Sequence, residues 1–142
     1  MIARDPRYEL KLICPGPQLS QAHLWLRLHP SGLRAAYPPR WVTSLYFDSH
    51  HLGCLADNLD GLVLRNKLRL RWYGTEYPIV QPHLEMKHKQ GLVGTKATLP
   101  LDCALDLDEP WSLSLRRLEA HLTPLWQSRF QGASRPVLIN RY

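Results

Sequence analysis

No apolar run in the 142-residue sequence approaches the roughly 20 residues that cross a bilayer. Residues 1–11 mix charged and polar side chains and lack the apolar stretch of a secretory signal. The three cysteines, Cys14, Cys54 and Cys103, are odd in number, widely spaced and without a C-x-x-C. That usage argues against a disulfide framework and suits a reducing cytoplasm. No G-x-S-x-G elbow supports a hydrolase triad. The run Gly91-Leu92-Val93-Gly94-Thr95-Lys96 lacks the glycine spacing of a phosphate-binding loop, and no long helix clearly follows it. His50, His51 and Cys54 have no local fourth ligand for zinc. Internal repeats, linkers and low-complexity tracts are also missing. What remains is 44% hydrophobic and 21% charged, the composition of one globular domain with a sizeable core.

Charge is present in excess but is not spread evenly. The formal net charge is +6. Residues 62–100 hold Arg65, Lys67, Arg69, Arg71, Lys87, Lys89 and Lys96 against only Glu76 and Glu85. Residues 1–61 are nearly balanced, and residues 101–142 carry five charges of each sign. The basic excess is therefore focused on one stretch, which favours an anionic partner there.

Periodicity places that stretch on strands. Strands are predicted over Tyr8–Cys14, Trp41–Phe47, Leu62–Tyr73, His83–Lys89, Thr95–Leu101 and Val137–Tyr142, from alternation and from β-branched and aromatic content. Helical spacing covers Gln18–His29 and the stretch after Pro110, where Leu113, Leu115, Leu118 and Leu122 recur until Pro124 interrupts. A second helical piece runs to Phe130, and Leu52–Asp60 reads as a short helix or an irregular connection. Along Leu62–Tyr73 one face carries Arg65, Lys67, Arg69 and Arg71. The other carries Leu62, Leu64, Leu68, Leu70 and Trp72, with Asn66 its single interruption. His83, Glu85, Lys87 and Lys89 share a face of the next strand, and Glu9 and Lys11 share a face of the first.

A solvated polar face explains one such strand well. Three together suggest inward-facing rows that would repel one another unless a polyanion lies among them. The carboxylates within the rows then suit a hard divalent cation, which takes oxygen ligands.

These residues resemble a known family. Arg7-x-Glu9-x-Lys11, Ser44-Leu45-Tyr46-Phe47-Asp48, Asp60-Gly61, Arg65-x-Lys67-x-Arg69-x-Arg71-x-Tyr73-Gly74, Glu85-x-Lys87 and Arg135-Pro136-Val137 stand in the order of the VTC domain. That domain belongs to the triphosphate tunnel metalloenzymes, relatives of the CYTH proteins. The resemblance implies an α+β fold, an antiparallel β-tunnel with flanking helices. It implies polyphosphate polymerase-type phosphoryl transfer from ATP, with Mn²⁺ or Mg²⁺ as cofactor. Lys11, Arg69, Arg71 and Lys87 would be the catalytic phosphate-holding residues. Arg65, Lys67, Lys89 and Lys96 would be further phosphate-binding residues, and Glu9 and Glu85 would face the metal or orient the cations. Asp48, at a strand end, reads equally as a turn residue or a functional one.

The expected partners are ATP, inorganic polyphosphate or triphosphate, in the cytoplasm, and no nucleic acid. Trp72 lies on the face opposite the basic row, although Tyr73 shares that row's parity. A triphosphate hydrolase of the same fold and a non-catalytic polyphosphate-binding module are the alternatives. VTC domains continue through further strands, so a single domain over 1–142 is expected to be truncated at its C-terminal side. The expectations are an incomplete tunnel, little polymerase activity from this chain alone, and open sheet edges that invite pairing with a second copy.

Overall fold

The structure, a computed structural model, describes residues 2–8 and 13–142, with the backbone alone for 2–5. The chain divides into two compact units. One comprises residues 1–9 and 41–142, and the other residues 10–40.

The larger unit is α+β. Its strands are β1 (Ile2–Tyr8), β2 (Val42–Asp48), β3 (Leu64–Tyr73), β4 (Ile79–Val80), β5 (His83–Gln90), β6 (Val93–Pro100), β7 (Leu105–Asp106) and β8 (Arg135–Arg141). Six of them form one antiparallel sheet in the order β1-β6-β5-β3-β2-β8, and β4 pairs separately with β7. The smaller unit contains a 3-10 turn (Gly16–Gln18) running into helix α1 (Leu19–Leu28). Helices α2 (Gly53–Leu59), α3 (Trp111–Ala120) and α4 (Pro124–Gln131) belong to the larger unit.

Alternation decides which side of the sheet is core. Leu45 and Phe47 of β2, Leu68, Leu70 and Trp72 of β3, and Leu84 and Met86 of β5 are buried together with Leu118, Leu122, Trp126 and Phe130 from the α3–α4 region. Pro124 divides the two helices by opening α4 in its first turn, where its missing N–H costs nothing. The β5–β6 hairpin closes through Gly91 at φ +57°, the left-handed conformation a two-residue turn needs at its first central position.

Of the first strand expected over Tyr8–Cys14, Glu9–Leu12 lie outside the described residues, Tyr8 ends β1 (Ile2–Tyr8), and Ile13 and Cys14 belong to no strand. The register shifts between Arg4 and Arg7, which brackets Pro6, and an edge strand tolerates such a residue. The strand at the other end begins earlier than expected, at Arg135.

Asp48 has a structural task. Its carboxylate accepts N–H bonds from Ser49, Cys54 and Leu55 at 2.7, 2.8 and 2.9 Å, at the start of α2. The helix's own N-cap residue, Leu52, is left-handed at φ 55° and supplies no side-chain cap. Burial would raise the Asp48 pKa, but these backbone bonds outweigh it and hold the carboxyl below its ordinary range. The same carboxylate and burial push the Cys54 thiol up to about 11, so it stays protonated at neutral pH. Asp48→Ala should cost about 1–3 kcal/mol, from amides left without an acceptor. A urea unfolding curve reads this, and an unchanged midpoint would remove the capping role.

Candidate functional site

The sheet face opposite the core is built in rows by the strand register. Ser44, Arg71 and His83 stand side by side across β2, β3 and β5, and Tyr46, Arg69 and Glu85 form the next row. Lys67, Lys87 and Lys96 are direct neighbours across β3, β5 and β6, and Arg65 faces Lys89. Rows on one face are about 7 Å apart, since every second residue points the same way. The parity read from the sequence thus brings Arg65, Lys67, Arg69, Arg71, Glu85, Lys87, Lys89 and Lys96 onto one surface. Glu9 and Lys11 lie outside the described residues.

Glu85 organises this face. Its side chain is only 4% exposed, and those of Arg69, Arg71 and Lys96 are 16%, 15% and 17% exposed. Arg69 donates from Nε and Nη2 to Glu85 Oε2 at 2.9 and 2.7 Å. Lys96 donates to Oε1 at 2.7 Å, and Arg71 Nη1 lies 3.7 Å from Oε2. Burial disfavours the Glu85 carboxylate, but the hydrogen bonds from Lys96 and Arg69 and the charges of Arg69 and Arg71 prevail, so its pKa is lowered. The Arg69 guanidinium is likewise desolvated, yet its bond to Glu85 keeps its pKa raised.

Neutral groups fix the arginines further. Arg69 Nη1 donates to Tyr46 Oη at 3.0 Å, and its guanidinium lies 5.7 Å from that ring's centroid. Arg71 donates to Ser44 Oγ at 3.4 Å and to Tyr142 Oη at 3.2 Å. Sequence reading gave no role to Ser44, Tyr46, His83 or Tyr142. Ser44, Tyr46 and His83 share the basic row's parity, whereas Tyr142 is brought there only by β8 folding onto β2. At the end of the first row, His83 Nδ1 is buried without a hydrogen-bond partner.

Both Glu85 oxygens are engaged by cationic donors, and among the described residues no three His, Cys, Asp or Glu side chains gather to hold a metal. An ion of double positive charge beside Arg69, Arg71 and Lys96 would meet repulsion with one shared carboxylate to offset it. The described residues therefore do not fit a resident metal at Glu85. Glu85 acts instead as the group that orients the cations.

A cavity of about 640 Å³ adjoins the face, where Tyr46 and Lys67 share its wall with Leu52, Leu55 and Asn58 beside α2, and with Asn140 of β8. Its walls combine apolar side chains with amide groups and with the charged Asp48, Lys67 and Arg135.

Residues 7–113 match the family model described as the VTC domain. No curated protein matches the sequence. No described helix is long and apolar enough to cross a membrane. The family match covers well over half of the chain and takes in β2, β3, β5 and β6, the strands that carry the cationic rows. The chain belongs to the VTC domain family, and its role is polyphosphate-related.

Proposed function

We propose that the cationic face is one wall of a phosphate-binding tunnel, and that it holds a linear chain of phosphates during phosphoryl transfer from ATP. The carrying observation is the row Lys67–Lys87–Lys96, three lysines at neighbouring register positions beside the Arg69–Glu85 pair. Like charges directly opposite on a sheet repel, so this arrangement is stable only with anions near it. Glu85 compensates the row that contains Arg69, and its bond to Lys96 relieves one lysine.

Phosphoryl transfer asks little covalent chemistry of a protein. Positioning and neutralisation of phosphate charge carry most of the catalysis, and pre-oriented arginines suit both tasks. Arg69 and Arg71 are held by Glu85, Tyr46 and Ser44 before substrate arrives, so little reorganisation is needed. Lys67 and Lys87 then act as point charges along the chain. The 640 Å³ cavity beside Lys67 gives room for the organic part of a nucleotide, which supports ATP as the phosphate donor. Mg²⁺ or Mn²⁺ enters this reading as part of the metal–triphosphate substrate, lowering its charge.

Competition against a fluorescent ATP analogue tests the reading. Tripolyphosphate should displace the analogue at least about tenfold better than single-stranded DNA of matched charge, because closely spaced cationic rows match the denser charge of a phosphate chain. Arg71→Glu should weaken tripolyphosphate about 100-fold, with Arg71→Gln intermediate, as expected when a desolvated charge contact is lost or reversed. Unchanged affinity in both variants would sink the assignment. Accumulation of inorganic polyphosphate from ATP separates polymerase from binding module, and release of inorganic phosphate marks a hydrolase.

A further inference from the structure

The cavity beside Lys67 is walled entirely by the larger unit, from β2, β3, α2 and β8. Its volume of about 640 Å³ falls within the roughly 300–1,000 Å³ that small-molecule sites occupy. Local geometry decides which side chains reach it. Cys54, Leu55 and Asn58 stand three and four residues apart on α2, so they share one face of that helix. Leu138 and Asn140 alternate along β8, and the register sets them beside Tyr46 and Ser44 on the cationic face. Helix and strand thus each bring a leucine and a carboxamide to the wall. Charge there is net positive, Lys67 and Arg135 against Asp48, whose carboxylate is already taken by three backbone amides. Two residues join the cavity to the phosphate rows, since Lys67 also neighbours Lys87 and Tyr46 holds Arg69.

We infer that this cavity takes the purine nucleoside of the phosphate donor, and that it selects by ring size rather than by base edge. The inference rests on the phosphate-binding reading above, because Lys67 serves both. A triphosphate laid along the cationic rows from Lys67 leaves its nucleoside at the cavity. Leu55 and Leu138 offer apolar surface to the flat faces of a base, and burial is favourable in proportion to area. Asn58 and Asn140 each carry a donor and an acceptor, and a carboxamide can turn over to exchange them. Such a group satisfies the N1/N6 edge of adenine and the N1/O6 edge of guanine equally well. It therefore does not separate the two purines. Size does separate purines from pyrimidines. The second ring buries roughly 40 Å² of additional apolar surface, which is about fivefold in affinity. The substrate class is accordingly the purine nucleoside triphosphates, those of guanine as well as adenine.

Calorimetry on the full chain tests this with the β,γ-imido analogues of ATP, GTP and CTP, and with tripolyphosphate as the probe that lacks a nucleoside. The ATP and GTP analogues should bind within about threefold of each other and about fivefold more tightly than the CTP analogue. Leu55→Trp fills the cavity and should weaken both purine analogues about tenfold, while tripolyphosphate stays within about twofold. Asn58→Ala adds no bulk and removes one base contact, which should cost the purine analogues about fivefold and again spare tripolyphosphate. Arg71→Gln acts on the phosphates and should weaken all four ligands about tenfold. Far-ultraviolet circular dichroism confirms that each variant is folded. Cavity variants that leave the purine analogues unchanged, or that weaken tripolyphosphate equally, overturn the inference. So does a CTP analogue bound as tightly as the ATP one, or a preference between the purines beyond about thirtyfold. If Arg71→Gln leaves all four ligands unchanged, the phosphate-binding reading itself falls, whatever the cavity variants do.

Discussion

Replacing Glu85 with alanine is expected to destabilise the fold by about 3–5 kcal/mol, the usual cost of leaving buried charge without its partner. The carboxylate accepts close hydrogen bonds from Arg69 and Lys96 and stands 3.7 Å from Arg71, and all three cations are less than one-fifth exposed. Without it, three largely desolvated cations face one another across adjacent strands. For a domain of this size the loss should lower the unfolding midpoint by roughly 10 °C or more. Tripolyphosphate should restore much of it. Glu85 and a bound phosphate compete for the same donors, so the variant should bind the anion more tightly than the native chain, and ligand binding raises the midpoint in proportion. A Glu85→Ala chain as stable as the native one, or one that tripolyphosphate stabilises less than native, would contradict the compensating role.

The same carboxylate governs acid stability. Its folded pKa lies below the ordinary value of 4.5. A depressed carboxyl contributes stability that is fully present above its unfolded pKa and is lost as pH falls through the folded one. Unfolding followed from pH 6 downward should therefore show a decline below about pH 4.5 in the native chain, part of which Glu85→Gln removes. Asp48, also lowered, contributes to the same acid limb and remains in that variant.

Much of this site was legible before any coordinates, for a definite reason. A strand has a period of two, so counting alone puts Arg65, Lys67, Arg69 and Arg71 on one face of their strand and Glu85, Lys87 and Lys89 on one face of theirs, while Lys96 comes from the family resemblance. Register was not legible. Nothing local says that Lys87 stands between Lys67 and Lys96, or that Arg69 stands against Glu85, because those pairings arise from how three strands align. At Glu85 the sequence leaves two roles open, facing a metal or orienting the cations, and the structure shows both its oxygens taken by Arg69 and Lys96. Asn66, the interruption of the apolar face, has a similar explanation. It stands opposite His88, and its Oδ1 lies 2.8 Å from that ring's Nδ1, so the polar pair satisfies itself where the helix-covered core ends.

Phe130→Ala should cost about 3–5 kcal/mol yet leave phosphate affinity nearly unchanged. Phe130 is fully buried on α4, and its ring meets Phe47 edge-to-face at 5.3 Å and 69°. Truncation removes that contact and opens a cavity between helix and sheet. Phe47 is adjacent in sequence to Tyr46, whose hydroxyl accepts from Arg69 on the opposite face. Any strain that crossed the sheet at β2 would reach the cationic rows by this route. The rows, however, are held by Glu85, by Ser44 and by the strand register, none of which depends on the Phe130 ring. Independent sites add, so tripolyphosphate affinity measured by calorimetry on folded protein should stay within about threefold of native. A loss beyond tenfold, with the variant still folded, would mean that the helix layer sets the position of Arg69 through Phe47 and Tyr46. The two faces of the sheet would then be one mechanical unit rather than a core and a site that share a backbone.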